Sequence, residues 1–335
     1  LGRASGYQRD YRPVIVASFH SLTMVNINTN STLPGVGTSV KSDSNVSINV
    51  SAPADVGIVG QADLATGTAA ANTGYAIRSP VKARELFGSG SLLAENIVDA
   101  LQNGAYPVYA VAAEEIAVVD EDLSGLAGTS GTLANAPVSE TATETTFEID
   151  GVVKTTIITL EDPATKTPGT DEVYLNPVSG DFELDAAPGD GTLTNDLVDY
   201  SYYDYQSAIT AIQNEYGRRI DFLASDVENA DVLDAIDVAV TAMTQTYDFA
   251  VGVGGAASHI ADTSAYSNPY DTSRMHLLYP LRRTDGSSAL GAYLGRRAAI
   301  GIDTSGINQR LSGVDDLAHT LTIEDQENLV AEHVA

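Results

Sequence analysis

The residue types that could carry chemistry are few and scattered. Gly57-Ile58-Val59-Gly60 and Gly252-Val253-Gly254-Gly255 both follow strand-like runs, where phosphate-cradling loops form. Neither has the G-x-G-x-x-G spacing that admits a pyrophosphate, nor the lysine of a P-loop, so tight turns are expected. The five histidines (His20, His259, His276, His319 and His333) include none at i, i+3 or i+4 from another, so only folding could assemble a zinc site. Ser258, His259 and Asp262 supply the letters of a triad without a nucleophile elbow. Asp190-Gly191 and its acidic neighbours lack EF-hand spacing and read as solvated loop. No catalytic, cofactor-binding or metal-ligating residue is assigned, no cofactor is expected, and the chain does not read as an enzyme.

Charge is distributed with more pattern. Six of the thirteen arginines form adjacent pairs: Arg218-Arg219, Arg282-Arg283 and Arg296-Arg297. Guanidinium groups make planar, bidentate contacts with carboxylates, so in an acid-rich chain such pairs are candidates for contacts between copies. Pairing within the chain is the alternative. Four tyrosines in Tyr200-Ser201-Tyr202-Tyr203-Asp204-Tyr205 could stack on bases, but no Lys or Arg adjoins them, and packing or interface is the expected role.

The elements that must position these residues follow from periodicity. The stretch 56–111 gives a short apolar strand, a surface connection, and a helix opened by Ser79-Pro80 and stopped by Gly88. A second helix bears Leu93, Ile97, Ala100 and Leu101 on one stripe and ends at Asn103-Gly104. The chain returns as an apolar strand over 108–112, which makes a parallel βαβ unit. A second such unit runs from Ile220-Asp221-Phe222-Leu223 through a helix with Leu233, Ile236, Val240 and Met243 to a strand at 249–253. Another strand is expected at 275–279, ending at Pro280. Between the units, strand-like runs at 146–150, 152–160, 172–177 and 182–184 indicate a small β-rich insertion. Val46-Ser47-Ile48-Asn49-Val50 alternates as a half-exposed strand does. Near the start, Val14, Ile15 and Val16 lie in an isolated apolar run that cannot bury itself and is a candidate for pairing with another sheet. The reading is a mixed α/β fold: an arm (1–33), a first half of an α/β core (34–115), a β-rich inserted domain (116–199) and a second half of the core (200–335).

Composition bounds the setting. Lys+Arg number 17 against 45 Asp+Glu, a net charge of −28. At ordinary salt that imbalance is strongly self-repelling. At molar salt, where the Debye length is roughly 3 Å, most of it is screened. Excess Asp, scarce Lys and abundant Ala, Gly, Thr and Val resemble the proteins of extreme halophiles; an acidic mesophilic protein that binds cations or basic partners is the alternative. The absence of cysteine removes disulfides and thiolate chemistry. No apolar run approaches 18 residues, so no membrane insertion is expected, and no signal peptide is visible. The charge also argues against direct nucleic-acid binding.

The wording of 56–111 resembles the tail sheath proteins of contractile phage tails and related injection machines. Pro34-Gly35-Val36, the Val-Gly-rich strand at 56–60, Glu85-Leu86-Phe87-Gly88, the leucine-bearing helix, Asn103-Gly104 and Val108-Tyr109-Ala110-Val111 match that family's amino-terminal order. Near the other end, 291–329 is similar through its Ala-Gly run and through Leu321-Thr322 followed by Leu329. The resemblance implies a tail-sheath-like core with an extended amino-terminal arm that adds a strand to a neighbour. It implies a structural virion protein: a homo-oligomer of stacked rings, sixfold, around a tail tube protein, meeting baseplate and tail terminator proteins. Such a sheath assembles in the host cytoplasm, resides in the virion tail and contracts to drive the tube through the envelope. The family continues into a carboxy-terminal domain, often with an Asn-x-Arg-Arg run, which is expected to be absent from this sequence. The sheath of a cellular contractile injection system and a halophilic surface or adhesion protein are the alternatives.

Overall fold

The computed structural model describes residues 54–188, 196–246, 248–270, 274–300 and 310–334. The expected arm with Val14, Ile15 and Val16, the 46–50 strand, Pro34-Gly35-Val36 and Asp190-Gly191 lie outside the described residues.

The chain enters through β1 (Val56–Gly60) and β2 (Gly74–Ile77), then α1 (Pro80–Phe87), α2 (Leu92–Gln102) and β3 (Val108–Ala112). Ser79 caps α1 by accepting from the Lys82 N–H, with Pro80 in the first turn, and Gly88 ends the helix at φ 83°. Ser91 caps α2 in the same manner. β1 and β3 pair in parallel, as the βαβ reading requires. The surface connection, however, contains β2, which pairs antiparallel with β3 at the sheet edge. Only Ile77 of its four residues is fully buried, so the segment has little apolar signal.

Next come β4 (Glu114–Asp122), β5 (Ser130–Thr132), β6 (Thr146–Ile149), β7 (Val152–Val153), β8 (Thr155–Ile158), β9 (Glu172–Leu175), β10 (Asp181–Leu184) and β11 (Leu197–Asp204). They form two four-stranded sheets, ordered β4-β11-β6-β7 and β5-β10-β9-β8. A shared core lies between the sheets, with Phe147 and Phe182 ring centroids 5.1 Å apart. β4 and β11 run antiparallel from Glu114/Asp204 to Asp122/Leu197, so the chain leaves and re-enters the rest of the molecule at adjacent positions.

The remainder is α3 (Tyr205–Tyr216), β12 (Phe222–Ser225), α4 (Ala230–Gln245), β13 (Val251–Gly255), β14 (Met275–Leu278), α5 (Leu290–Ala299) and α6 (Ile323–Ala331). The expected helix stripe is real: Leu233, Ile236, Val240 and Met243 are all buried. Both βαβ units share one six-stranded sheet, ordered β14-β13-β12-β1-β3-β2, in which only β2 is antiparallel. Val56, Ile58, Val108 and Ala110 face α1, α2 and α5. Val59, Tyr109 and Val111 face α3 and α4. The result is a mixed α/β fold, a three-layer core joined to a β-rich part. Leu321-Thr322 and Leu329 also acquire a physical role: Thr322 caps α6 in a reciprocal pair with Asp325, and Leu329 is its buried residue.

α5 is laid against α2 at a distance only glycine permits. A Cβ on Gly291 would stand 2.0 Å from the Asn96 carbonyl oxygen, and one on Gly295 2.2 Å from that of Ala100. Replacing Gly295→Val therefore forces the helices apart. The expected loss is about 2–3 kcal/mol in denaturant unfolding, a larger penalty than for Gly125→Ala, where nothing lies within 4 Å.

Candidate functional site

In an open α/β sheet, ligands bind outside the carboxyl ends of the strands where the strand order reverses. Here β1 crosses over to β3 on one side and β12 to β13 on the other, so that point lies between the ends of β1 and β12. It is filled by a buried ionic cluster. Asp226, directly after β12, is fully buried and accepts hydrogen bonds from the Gln61 N–H at 2.8 Å and from the Tyr205 hydroxyl. Glu228, at the start of the connection to α4, accepts from Arg282 Nε at 2.9 Å and Nη2 at 3.1 Å. Arg282 Nη2 also reaches Glu140 of the β-rich part at 2.8 Å, and its Nη1 donates to the Gly286 carbonyl at 3.3 Å. The guanidinium is 2% exposed and the Glu228 side chain 1%.

This cluster explains the last glycine of each run, Gly60 and Gly255. Gly57 and Gly60 lie within β1, and Gly252, Gly254 and Gly255 within β13, so these are strand residues and the expectation of tight turns is corrected. A Cβ on Gly60 would sit 2.1 Å from an Asp226 carboxylate oxygen, and one on Gly255 2.2 Å from Glu228 Cγ. The strand ends lack side chains because the two carboxylates occupy the space.

Burial governs the protonation of the cluster. Desolvation raises the Asp226 carboxyl to about 7, against the opposing bonds from Tyr205 and Gln61. Glu228 is also raised by burial, opposed by Arg282. Burial would lower the Arg282 guanidinium, but the charges of Glu228 and Glu140 outweigh it and raise it. Burial beside Asp226 lifts the Tyr205 phenol well above its ordinary range.

A cleft of about 580 Å³ opens beside the cluster, lined by Gln61, Ser91, Glu115, Glu140, Glu144 and Asp285 among others. A carboxylate-walled space above an occupied switch point suits cations and N–H donors and repels phosphates.

The sequence-derived candidates are dispersed. Arg282 lies in the cluster, and Arg283 pairs with Asp99 on α2. Arg296 and Arg297 are half-buried in the last turn of α5, where cations complement the helix dipole. Arg218 and Arg219 are exposed and line a second cleft, of about 510 Å³, between the carboxyl ends of α3 and α4. The tyrosines of β11 divide between two cores: Tyr200 packs in the β-rich core, while Tyr205 is buried against the large sheet. Asp262 accepts from Ser264 instead of completing a triad, and His259 Nδ1 has no partner. Folding does bring His259 within 4.8 Å of the His319 ring, which stacks on Tyr279. Sequence spacing could not show that contact. Among the described residues, no group of three or more His, Cys, Asp or Glu side chains could hold a metal ion, and no helix is long and apolar enough to cross a membrane.

The chain is similar to a solved structure. The helical sheath of an anti-feeding prophage, solved by cryo-EM in its contracted state, aligns over 91% of this chain with TM-score 0.44 and 14% identity. The alignment takes in 63% of that sheath chain. No protein-family model matches, and no curated protein matches.

Two outcomes test the cluster. Asp226 holds a proton in the folded chain up to about pH 7, whereas an ordinary carboxyl releases it near 3.8. Stability therefore falls as pH rises through that window and levels off above it. Asp226→Asn should remove most of this slope, worth on the order of a few kcal/mol between about pH 5 and pH 8 in denaturant titrations at fixed salt. Arg282→Gln leaves Glu228 buried without its counter-charge, so its unfolding free energy should drop by about 3–5 kcal/mol.

Proposed function

We propose that this chain is a structural subunit of a contractile tail or injection sheath, acting through the surfaces it presents to other copies of itself. The observation that carries the reading is where the family-like wording falls. The stretches 56–111 and 291–329 are far apart in sequence, yet α2 from the first and α5 from the second meet at Gly291 and Gly295. β1, β3 and α1 complete the same body. A resemblance made of independent coincidences has no reason to converge on one packed unit.

In this reading the three-layer core is the rigid part of the subunit, and copies stack as rings around an inner tube. Contraction is a shift between two packings of the lattice, needing no nucleotide hydrolysis. A switch point occupied by carboxylates accords with that role, because it leaves no cradle for a phosphate. The net charge of −28 makes association salt-dependent. Repulsion between copies is long-ranged at low salt and short-ranged near molar salt, which supports assembly in a halophilic setting. Arg218 and Arg219 present exposed guanidinium groups that fit acidic patches of a neighbouring copy.

Electron microscopy of the purified protein in molar salt tests this reading. Helical tubes or stacked rings are expected, and a persistent monomer contradicts it. Arg218→Glu/Arg219→Glu should abolish assembly while the subunit's unfolding free energy stays within about 0.5 kcal/mol, as for exposed substitutions generally.

A further inference from the structure

Residues 310–334 run as a strap past the β14 edge of the large sheet. Val334 makes an isolated parallel bridge to Leu277, and the Ala318 N–H donates to the Arg282 carbonyl at 2.9 Å. Within α6 only Leu329 is buried. Polar contacts with the loop 256–270 complete the attachment. Thr263 Oγ1 donates to an Asp325 carboxylate oxygen at 2.7 Å. Asn268 donates to Glu332 through its N–H at 3.2 Å and through Nδ2 at 3.1 Å. A helix with so little apolar burial opens locally at a free energy below that of global unfolding.

Two imidazoles lie where the strap meets that loop. The His319 ring stacks on Tyr279, with centroids 5.8 Å apart and 9° between the planes, and its centroid lies 4.8 Å from that of His259. The Tyr279 hydroxyl accepts the Ile260 N–H at 3.0 Å, so this group of rings ties the end of β14, the loop and the strap together. The contact favours neutral rings. His259 Nδ1 is buried without a partner, so a proton there would be a donor with no acceptor. Two imidazolium rings at this spacing would also repel each other. Burial, and then His259, hold His319 below the ordinary histidine range, against Glu161 and a backbone hydrogen bond to Ser258.

The carboxylates around the pair do not titrate with it. Glu161 is held low by its bond with Lys166, Asp262 by Ser264, and Asp325 by Thr322 and Thr263, so all three stay ionised through the histidine range. His276 is also held down, by burial and by Arg297, but alternation along β14 puts it on the face opposite Leu277 and away from Leu329.

We propose that the contact of His259 with His319 is a pH-sensitive latch, closed at neutral pH, whose protonation frees the strap bearing α6 from the loop 256–270. The sign follows from linkage. A histidine depressed in the docked state takes up protons more readily once released. Docking is therefore complete above the ordinary histidine value of 6.5 and weakens as pH falls below it. Asp226 acts in the opposite direction, because its proton favours the folded core toward acid. The latch works within one subunit and does not depend on the sheath reading.

Hydrogen exchange read by mass spectrometry tests the latch on the full chain. Rates are compared at about pH 7.5 and about pH 5.5, at fixed salt and corrected for the intrinsic pH dependence of exchange. The amides of α6 should lose protection several-fold at the lower pH, while those of α4 do not. In His259→Phe/His319→Phe the rings keep the contact but cannot titrate, so α6 should be equally protected at both pH values. His319→Gln gives the same comparison without the aromatic ring. A purely structural pair would instead change protection by the same factor at both pH values. Equal α6 protection at the two pH values in the unsubstituted chain, a loss shared by α4, or an acid loss that persists in the variants would overturn the proposal.

Discussion

The bidentate contact of Arg282 with Glu228 is the constraint on which the rest of the structure depends. Arg282 follows β14 and Glu228 precedes α4, and the same guanidinium extends to Glu140 in the β-rich part. Asp226 adds β1 through Gln61 and α3 through Tyr205. One desolvated group of acids and a guanidinium therefore joins the ends of several sheet strands, two helices and the inserted strands. A buried ion pair adds little net stability over a well-packed apolar pair, but it penalises every arrangement in which one member lacks its partner. The cluster thus fixes how the β-rich part is seated on the sheet more than it stabilises the core.

The same constraint shapes the strands. Glycine at the ends of β1 and β13 leaves the room that Asp226 and Glu228 occupy, so the sheet carries carboxylates where related topologies keep an open crevice. Across the sheet, Gly291 and Gly295 perform a different service, allowing α5 to touch the backbone of α2. At these positions glycine is a device for close approach. The acidic excess then acts at the surface, where it sets the salt dependence of any association.

Much of the fold was legible because its signals are local. Ser79-Pro80, Gly88, Asn103-Gly104 and the apolar spacing on α4 each announce an element within a few residues. β2 is not legible, because a four-residue edge strand with one buried side chain has no period. Neither GIVG nor GVGG shows locally why it ends in glycine: the Asp226 carboxylate beside Gly60 comes from more than a hundred residues along the chain, and the Glu228 side chain beside Gly255 from the connection that leads into α4. The arginine pairs stood out as a composition anomaly. Their partners did not, since Arg282 and Glu140 are separated by 142 positions and only the fold joins them. The ring contact of His259 with His319 was hidden for the same reason.

A double-mutant cycle on Arg282 and Glu228, followed by denaturant unfolding at fixed salt, tests the central claim most directly. Arg282→Met leaves the buried Glu228 carboxylate alone, and Glu228→Met leaves Arg282 with only the part-exposed Glu140, while the combination leaves no charge at either position. The account predicts that the double variant is more stable than either single one, with a coupling of about 3 kcal/mol or more. Additive losses, with coupling within about 0.5 kcal/mol, would contradict it.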